Sequence, residues 1–229
     1  VVKEVLPGEG VTIETDAVFI QGIFGIGGEN RGNLKVVVES REDELTADMI
    51  TADHAGNILV GGSFISLEAY KKALSVNVAG VVVGGFNYHD LEDILGYTLG
   101  VAITGSENLA TSLIITEGYG NIRMGVRTFD LLREHNGKFA SVNGATQIRA
   151  GVIRPEIVIP LSPDELKSDH KEIDSSKGIQ EGSIVRVIRA PYFGRMGKVV
   201  SLPAELGKME SETMVRVAKV EINNETIVV

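Results

Sequence analysis

Three arginines follow a short Thr-Glu-Gly-Tyr-Gly stretch, and this is the part of the chain best supplied with chemically useful side chains. Thr116-Glu117-Gly118-Tyr119-Gly120 precedes Arg123 and Arg127, with Arg149 further along. Guanidinium groups beside a carboxylate and a phenol form a set that holds and orients a small anion. Gly84-Gly85 and Thr104-Gly105 end two other predicted strands, and ligand crevices in open α/β sheets lie at the carboxyl ends of strands. Convergence of these three small-residue edges predicts a pocket in which Thr104, Gly105, Glu117, Tyr119, Arg123 and Arg127 contact a phosphorylated or carboxylated ligand. The plainer alternative is that the glycines turn the chain and the arginines pair with surface acids.

Other motifs are weaker. Gly22-x-x-Gly25-x-Gly27-Gly28 resembles a phosphate loop in its glycines, but the Lys-Ser/Thr pair of a Walker loop does not follow it. A dinucleotide fingerprint needs a helix at that point, whereas Asn30-Arg31-Gly32 leads into a strand pattern. His54, His89, His135 and His170 lie far apart without paired ligand spacing, so turn and helix-start roles are expected of them and no metal is assigned. No G-x-S-x-G elbow is present, and the absence of cysteine removes thiol nucleophiles, thiolate metal ligands and disulfides. Paired acids such as Glu92-Asp93 fall in a surface helix pattern.

The elements that carry these residues read as a β-rich α/β (α+β) chain. Short strands are predicted at Val2–Leu6, Val11–Glu14 and Ala17–Ile20, with a Pro7-Gly8-Glu9-Gly10 turn between the first two. Gln21–Gly32 interleaves Ile23, Phe24 and Ile26 with glycines that let the backbone bend sharply or approach another element closely, and Leu34–Val38 is a strand. An acidic patch at Glu39–Glu44 precedes a βαβ pattern. Its parts are a strand at Ile58–Val60, a helix at Leu67–Ser75 capped by Ser66, and the apolar strand Gly80–Val83. A helix at Asp90–Leu95, strands at Val101–Thr104 and Ser112–Thr116, and a helix at Arg127–His135 follow. Asn136-Gly137 then turns the chain into strands at Phe139–Val142 and Ile157–Pro160. The polar run Ser162–Lys177 reads as a linker. The predicted organisation is a β-rich segment over 1–56, an α/β body with a mostly parallel or mixed sheet over 57–161, the linker over 162–177 and a small barrel over 178–229.

Composition sets broad limits. The 229 residues are 43% hydrophobic and 23% charged, enough to bury sizeable cores, and no apolar run reaches the length of a bilayer span. No membrane association is expected, and the lack of cysteine makes a reducing cytoplasm the expected compartment. The chain opens without methionine and stops inside a predicted strand, so further residues are expected at its ends. A net charge of -9 argues against a general nucleic-acid coat. The charge is uneven, however: from Gly178 onward seven basic residues face six acidic ones, giving +1 and leaving -10 on the remainder.

In that last segment, Ile184-Val185-Arg186-Val187-Ile188-Arg189 alternates cleanly. It reaches a turn at Ala190–Gly197, returns at Lys198–Val200 and continues in strands at Met214–Glu221 and Thr226–Val229. About fifty residues of meandering strand close most economically as a small barrel. Gly182, Val185-Arg186-Val187-Ile188, Gly194, Gly197, Lys198 and Val199 resemble the KOW family of SH3-like barrels, found in bacterial transcription elongation factors and ribosomal proteins. The resemblance covers about a fifth of the chain. It implies a surface for RNA, a ribonucleoprotein or a protein partner, formed by Arg186, Arg189, Tyr192, Arg195 and Lys198, with Phe193 nearby. The whole chain also resembles a family of uncharacterised bacterial KOW-tailed proteins. Its opening strands, with Asp53-His54-Ala55-Gly56-Asn57-Ile58, are similar to a barrel-sandwich hybrid, though no lysine sits in the carrier-hairpin pattern, so no attached cofactor is expected.

With no catalytic motif in view, the expected function is a non-enzymatic adaptor that docks through its C-terminal barrel. The alternative is an enzyme or sensor binding a small anionic ligand at the strand ends near Glu117 and Arg123. A third reading, a self-assembling structural protein, is favoured by a large apolar surface patch around Ile23, Phe24 and Ile26.

Overall fold

The computed structural model describes residues 1–97, 104, 105, 107, 109–147, 151–165, 178–187, 191, 192, 195–208, 214–223 and 225–229. Residues 101–103 of the strand predicted at Val101–Thr104, Arg149, His170, Arg189, Phe193 and most of the predicted linker lie outside them. The chain forms two compact units, Val1–Asp169 and His170–Val229. Its architecture is mixed and β-rich, with a ten-stranded mixed sheet in the first unit and a four-stranded antiparallel sheet in the second. No helix among the described residues is long and apolar enough to cross a membrane.

The first unit opens with a hairpin of β1 (Val2–Leu6) and β2 (Gly10–Ile13), which among the described residues pair only with each other. Next come β3 (Ala17–Gln21), β4 (Phe24–Ile26), β5 (Glu29–Val36), the short β6 (Glu44–Leu45), β7 (Ile58–Val60) and β8 (Phe64–Ile65). Helix α1 (Leu67–Val76) leads to β9 (Gly80–Phe86), and α2 (Asp90–Leu95) follows it. The unit continues with β10 (Ser112–Tyr119), α3 (Val126–Glu134), β11 (Phe139–Asn143) and β12 (Glu156–Pro160). Strands from residues 1–56 and from the body therefore share one sheet, in the order β3-β12-β11-β5-β7-β9-β10-β4. β5, β7, β9 and β10 are mutually parallel, and the remaining main-path pairings are antiparallel.

The two ends of that order belong to one stretch of chain. β3 pairs with β12 from Ala17 to Gln21, Gly22 donates to the Pro155 carbonyl, and Ile23 donates to the Ile115 carbonyl, both at 2.8 Å. β4 then pairs with β10. One extended segment thus changes neighbour at Gly22–Ile23 and shuts the sheet into a ring. Because strand side chains alternate between faces, each ring strand sends one set inward. Ile20, Leu34, Ile58, Val82, Ile114, Val142 and Ile157 form a single buried cluster, which Phe129 and Leu132 of α3 join. The opposite face of β7, β9 and β10 supplies Leu59, Val81, Val83, Leu113 and Ile115 to a second cluster, with Ala69, Tyr70 and Ala73 of α1.

Helix α1 forms where its sequence pattern places it. The Ser66 hydroxyl accepts from the Ala69 amide at 3.2 Å, satisfying a free first-turn donor, and Asn77 ends the helix in the left-handed region at φ 61°. Its Tyr70 is fully buried and donates its hydroxyl to the Thr111 carbonyl at 2.7 Å. The glycine-rich stretch contains the strand β4, whose Phe24 and Ile26 are core residues, so no surface patch forms around them. That segment therefore offers no apolar surface to favour self-assembly.

In the second unit β13 (Ile184–Arg186), β14 (Met196–Ser201), β17 (Lys219–Ile222) and β18 (Glu225–Val228) form the four-stranded sheet. β15 (Gly207–Lys208) pairs separately with β16 (Met214–Val215). The predicted continuous strand over Met214–Glu221 is divided, because its first residues pair with β15 while the last pair with β14 and β18. Val187, Val199, Val220, Ile222 and Ile227 are its core.

Ring closure is sensitive to Gly25, where an added Cβ would lie 2.6 Å from the Gly144 carbonyl oxygen and 2.8 Å from that of Leu113. Backbone on both sides leaves no room to yield. Gly25→Ala is expected to destabilise the first unit by about 1–3 kcal/mol, as overpacked sites do, and urea unfolding followed by circular dichroism measures it.

Candidate functional site

The strand ends expected to enclose a pocket are occupied by the chain itself. A Cβ on Gly84 would overlap the Ile122 carbonyl, and one on Gly85 would overlap that of Gly120. The glycines that end β9 therefore admit the 118–124 loop at van der Waals distance, and its backbone fills the space directly over Gly84 and Gly85.

Glu117, near the end of β10, is buried, and its Oε1 accepts from the Gly125 amide at 2.8 Å. Gly125 is the N-cap of α3, so this carboxylate serves one of the helix's free amides and faces its positive end. Arg123 projects outward with its side chain 64% exposed and pairs with Glu42 at 3.1 Å, and Arg41 reaches the same carboxylate at 3.6 Å. Arg127 is exposed on the first turn of α3. A shallow, open depression of about 270 Å³ lies here, lined by Glu42, Ser63, Asn121 and Arg123. Asn121 is bonded to Glu44, and the Ser63 hydroxyl donates to the Glu42 carbonyl at 2.8 Å. Nearby, Ser40 donors hold the Asp43 carboxyl below its usual range, so part of the acidic patch organises its own loop.

Thr104 and Gly105 lie outside β10, beside β4. The Thr104 hydroxyl donates to the Gly25 carbonyl at 2.7 Å and accepts from the Thr146 amide at 2.9 Å, while the Thr146 hydroxyl accepts from the Gly25 amide at 2.9 Å. Gly25 stands opposite Ile114, three residues from Glu117, or about 10 Å along the strand. The amides of Gly105 and Gly27 both donate to Glu107 Oε2, at 2.7 and 3.0 Å. These groups fasten β4 to the loops beside it. The structure does not gather Thr104 and Gly105 with Glu117 and Arg123.

Tyr119 belongs to an aromatic series. Its ring lies 5.3 Å from Phe24 and 5.1 Å, edge-on, from Tyr88, and Tyr88 in turn lies 5.9 Å from the His89 imidazole. Burial, and secondarily Tyr88, push its hydroxyl up to about 12. The described histidines close local turns. His54 Nδ1 accepts from the Thr51 amide at 3.2 Å, His89 is the N-cap of α2, and His135 ends α3 with Nδ1 at 2.8 Å from the Leu131 carbonyl. Among the described residues, no three metal-ligating side chains gather at one point.

The second unit presents its charges differently. Val185 and Val187 pack toward the core, which turns Ile184 and Arg186 to the opposite face. On β14, Gly197 and Val199 are buried and Met196 and Lys198 exposed. Arg186 stands opposite Met196, and Lys198 lies between Ile184 and Glu221 in register. The exposed Arg195 places its guanidinium 5.8 Å from the Tyr192 ring, whose inner side packs on the core. The outward face thus carries Arg186, Lys198 and Lys219 together with Glu221 and the apolar side chains Ile184 and Met196, and the stacked Arg195–Tyr192 pair lies in the loop preceding β14. Sequence alternation located Arg186 and Lys198, but the apolar share of this face appears only with the register.

Two outcomes follow for the first unit. Thr104→Val strips a donor from the Gly25 carbonyl and an acceptor from the Thr146 amide, so a loss of about 1–3 kcal/mol is expected in denaturant unfolding. Tyr119 holds its proton more tightly folded than its ordinary 10.0 allows. Its effect is therefore nil below pH 10, and stability declines as pH rises from 10 toward 12. Tyr119→Phe should flatten part of that decline in melting temperature against pH. Comparison with protein-family models, curated proteins and solved structures finds no match to the chain.

Proposed function

We propose that this protein is a non-enzymatic binding adaptor whose C-terminal sheet contacts RNA, free or within a ribonucleoprotein. The observation that carries the reading is the shared outward face of Arg186 and Lys198, bordered by the Arg195–Tyr192 pair. Guanidinium and ammonium groups neutralise phosphates, while Ile184, Met196 and the stacked guanidinium offer flat or apolar contacts to sugars and bases. Glu221 beside Lys198 keeps the face modestly charged, which suits a contact with a few phosphates rather than a continuous coat.

The likeness to the KOW pattern lends support at its glycines. A Cβ on Gly197 would run into the Val220 and Ile222 side chains, and Gly182 takes φ 90° while donating to the Val199 carbonyl at 2.7 Å. Both positions need glycine for this sheet. The strand-end alternative is less well supplied, because Arg123 is engaged by Glu42 and Glu117 by the start of α3.

Fluorescence anisotropy of the full chain against a labelled single-stranded RNA, titrated with salt, tests the proposal. Binding with a log–log salt slope of about -1 to -2 is expected, and Arg186→Glu with Lys198→Glu should abolish it while leaving the melting temperature in place. Unchanged RNA affinity in the double variant, or capture from lysate that resists nuclease and follows a protein partner, would overturn the RNA assignment.

A further inference from the structure

The β1–β2 hairpin has an open edge and an apolar face that no other described residues cover. Val2, Val5, Val11 and Ile13 are 55%, 64%, 52% and 70% exposed, and among the described residues no other strand pairs with either edge. A two-stranded hairpin by itself is marginal in water. Val5 stands opposite Val11 and Val2 opposite Ile13, so the β-branched side chains occur as cross-strand pairs.

Hydrogen-bond direction fixes which groups of β2 are free. The Glu14 amide donates inward to the Val1 carbonyl at 2.9 Å. Antiparallel pairing alternates inward and outward groups, so Thr12 also bonds inward, toward β1, and the N–H and C=O of Val11 and Ile13 point to the open edge. A second β2 laid antiparallel along this edge with its two-fold axis at Thr12 sets Val11 against Ile13 of the second copy, and Ile13 against its Val11. Both free residues then exchange their main-chain bonds. No like charges oppose each other in that register. The same operation on the β1 edge, centred on Glu4, would stack two carboxylates face to face, which disfavours it.

We infer that two copies of this chain associate through their β2 edges, forming a four-stranded sheet with Thr12 on the two-fold axis. Val2, Val5, Val11 and Ile13 of both copies line one face of that sheet, and adding a strand to an exposed edge is an established mode of recognition.

The chain has no cysteine, so a single introduced thiol reports this geometry. On the axis, Thr12 meets its counterpart as a non-hydrogen-bonded pair, with Cα atoms about 4.5 Å apart, within the range a disulfide spans. Under mild oxidation of the full chain, Thr12→Cys should convert to a covalent dimer, whereas Glu4→Cys on the other edge should remain monomeric. In sedimentation equilibrium the wild type should be a concentration-dependent dimer. Val11→Pro, which removes an outward N–H and spares the hairpin's own bonds, should lose the dimer without a change in melting temperature. Ile13→Lys provides a second edge-blocking variant. A monomeric wild type, equal cross-linking of Thr12→Cys and Glu4→Cys, or a dimer that survives both edge variants would overturn the inference.

Discussion

The run from Ala17 to Ile26 bonds β12 with its first half and β10 with its second, and the first unit is organised around that change of partner. An open mixed sheet would leave both edges free and would need a covering layer on each face. Shutting the sheet brings Ile20, Leu34, Ile58, Val82, Ile114 and Ile157 into contact with one another, so the ring builds a core from its own inward side chains. The helices then have separate duties. α3 contributes Phe129 and Leu132 to the inner core, and α1 covers the outer face of the parallel strands with Ala69, Tyr70 and Ala73.

Close backbone approach follows from this closure and explains why the strand ends offer so little room. Gly25 lies between the Gly144 and Leu113 carbonyls, while Gly84 and Gly85 lie under the loop that returns from β10. Threonine hydroxyls at Thr104 and Thr146, and the Glu107 carboxylate, satisfy amides and carbonyls that the crowded crossing leaves outside the ladder. Residues able to bind a ligand are thereby committed to holding the ring shut. Glu117 and Arg123 are likewise occupied, one by the first amide of α3 and the other by Glu42.

The second unit uses its side chains differently. Its small sheet buries Val187, Val199, Val220, Ile222 and Ile227 and leaves the alternate positions to cations, the acid Glu221 and exposed apolar groups. Few cations are exposed on that face, so a contact there depends on placement more than on bulk charge.

Local patterns were legible in the sequence because they depend on residues a few positions apart. The Ser66 cap, the α2 boundaries, the alternation that turned Arg186 and Lys198 outward, and the Asn136-Gly137 turn all formed where the chain's own spacing placed them. The glycine-rich segment, whose glycines predict a sharp bend or a close backbone approach, contains β4, and Gly25 makes such an approach. Nothing near Gly25 reveals that its amide will meet Thr146, 121 residues away. The choice of partner across such separations was left to the tertiary structure, because apolar alternation specifies which face of a strand is buried but not which strand lies beside it. So the amino-acid pattern determined the elements and the outward charges of the last unit. Packing alone decided that the sheet would close and that the grouped glycines, threonines and carboxylates would be used to hold it.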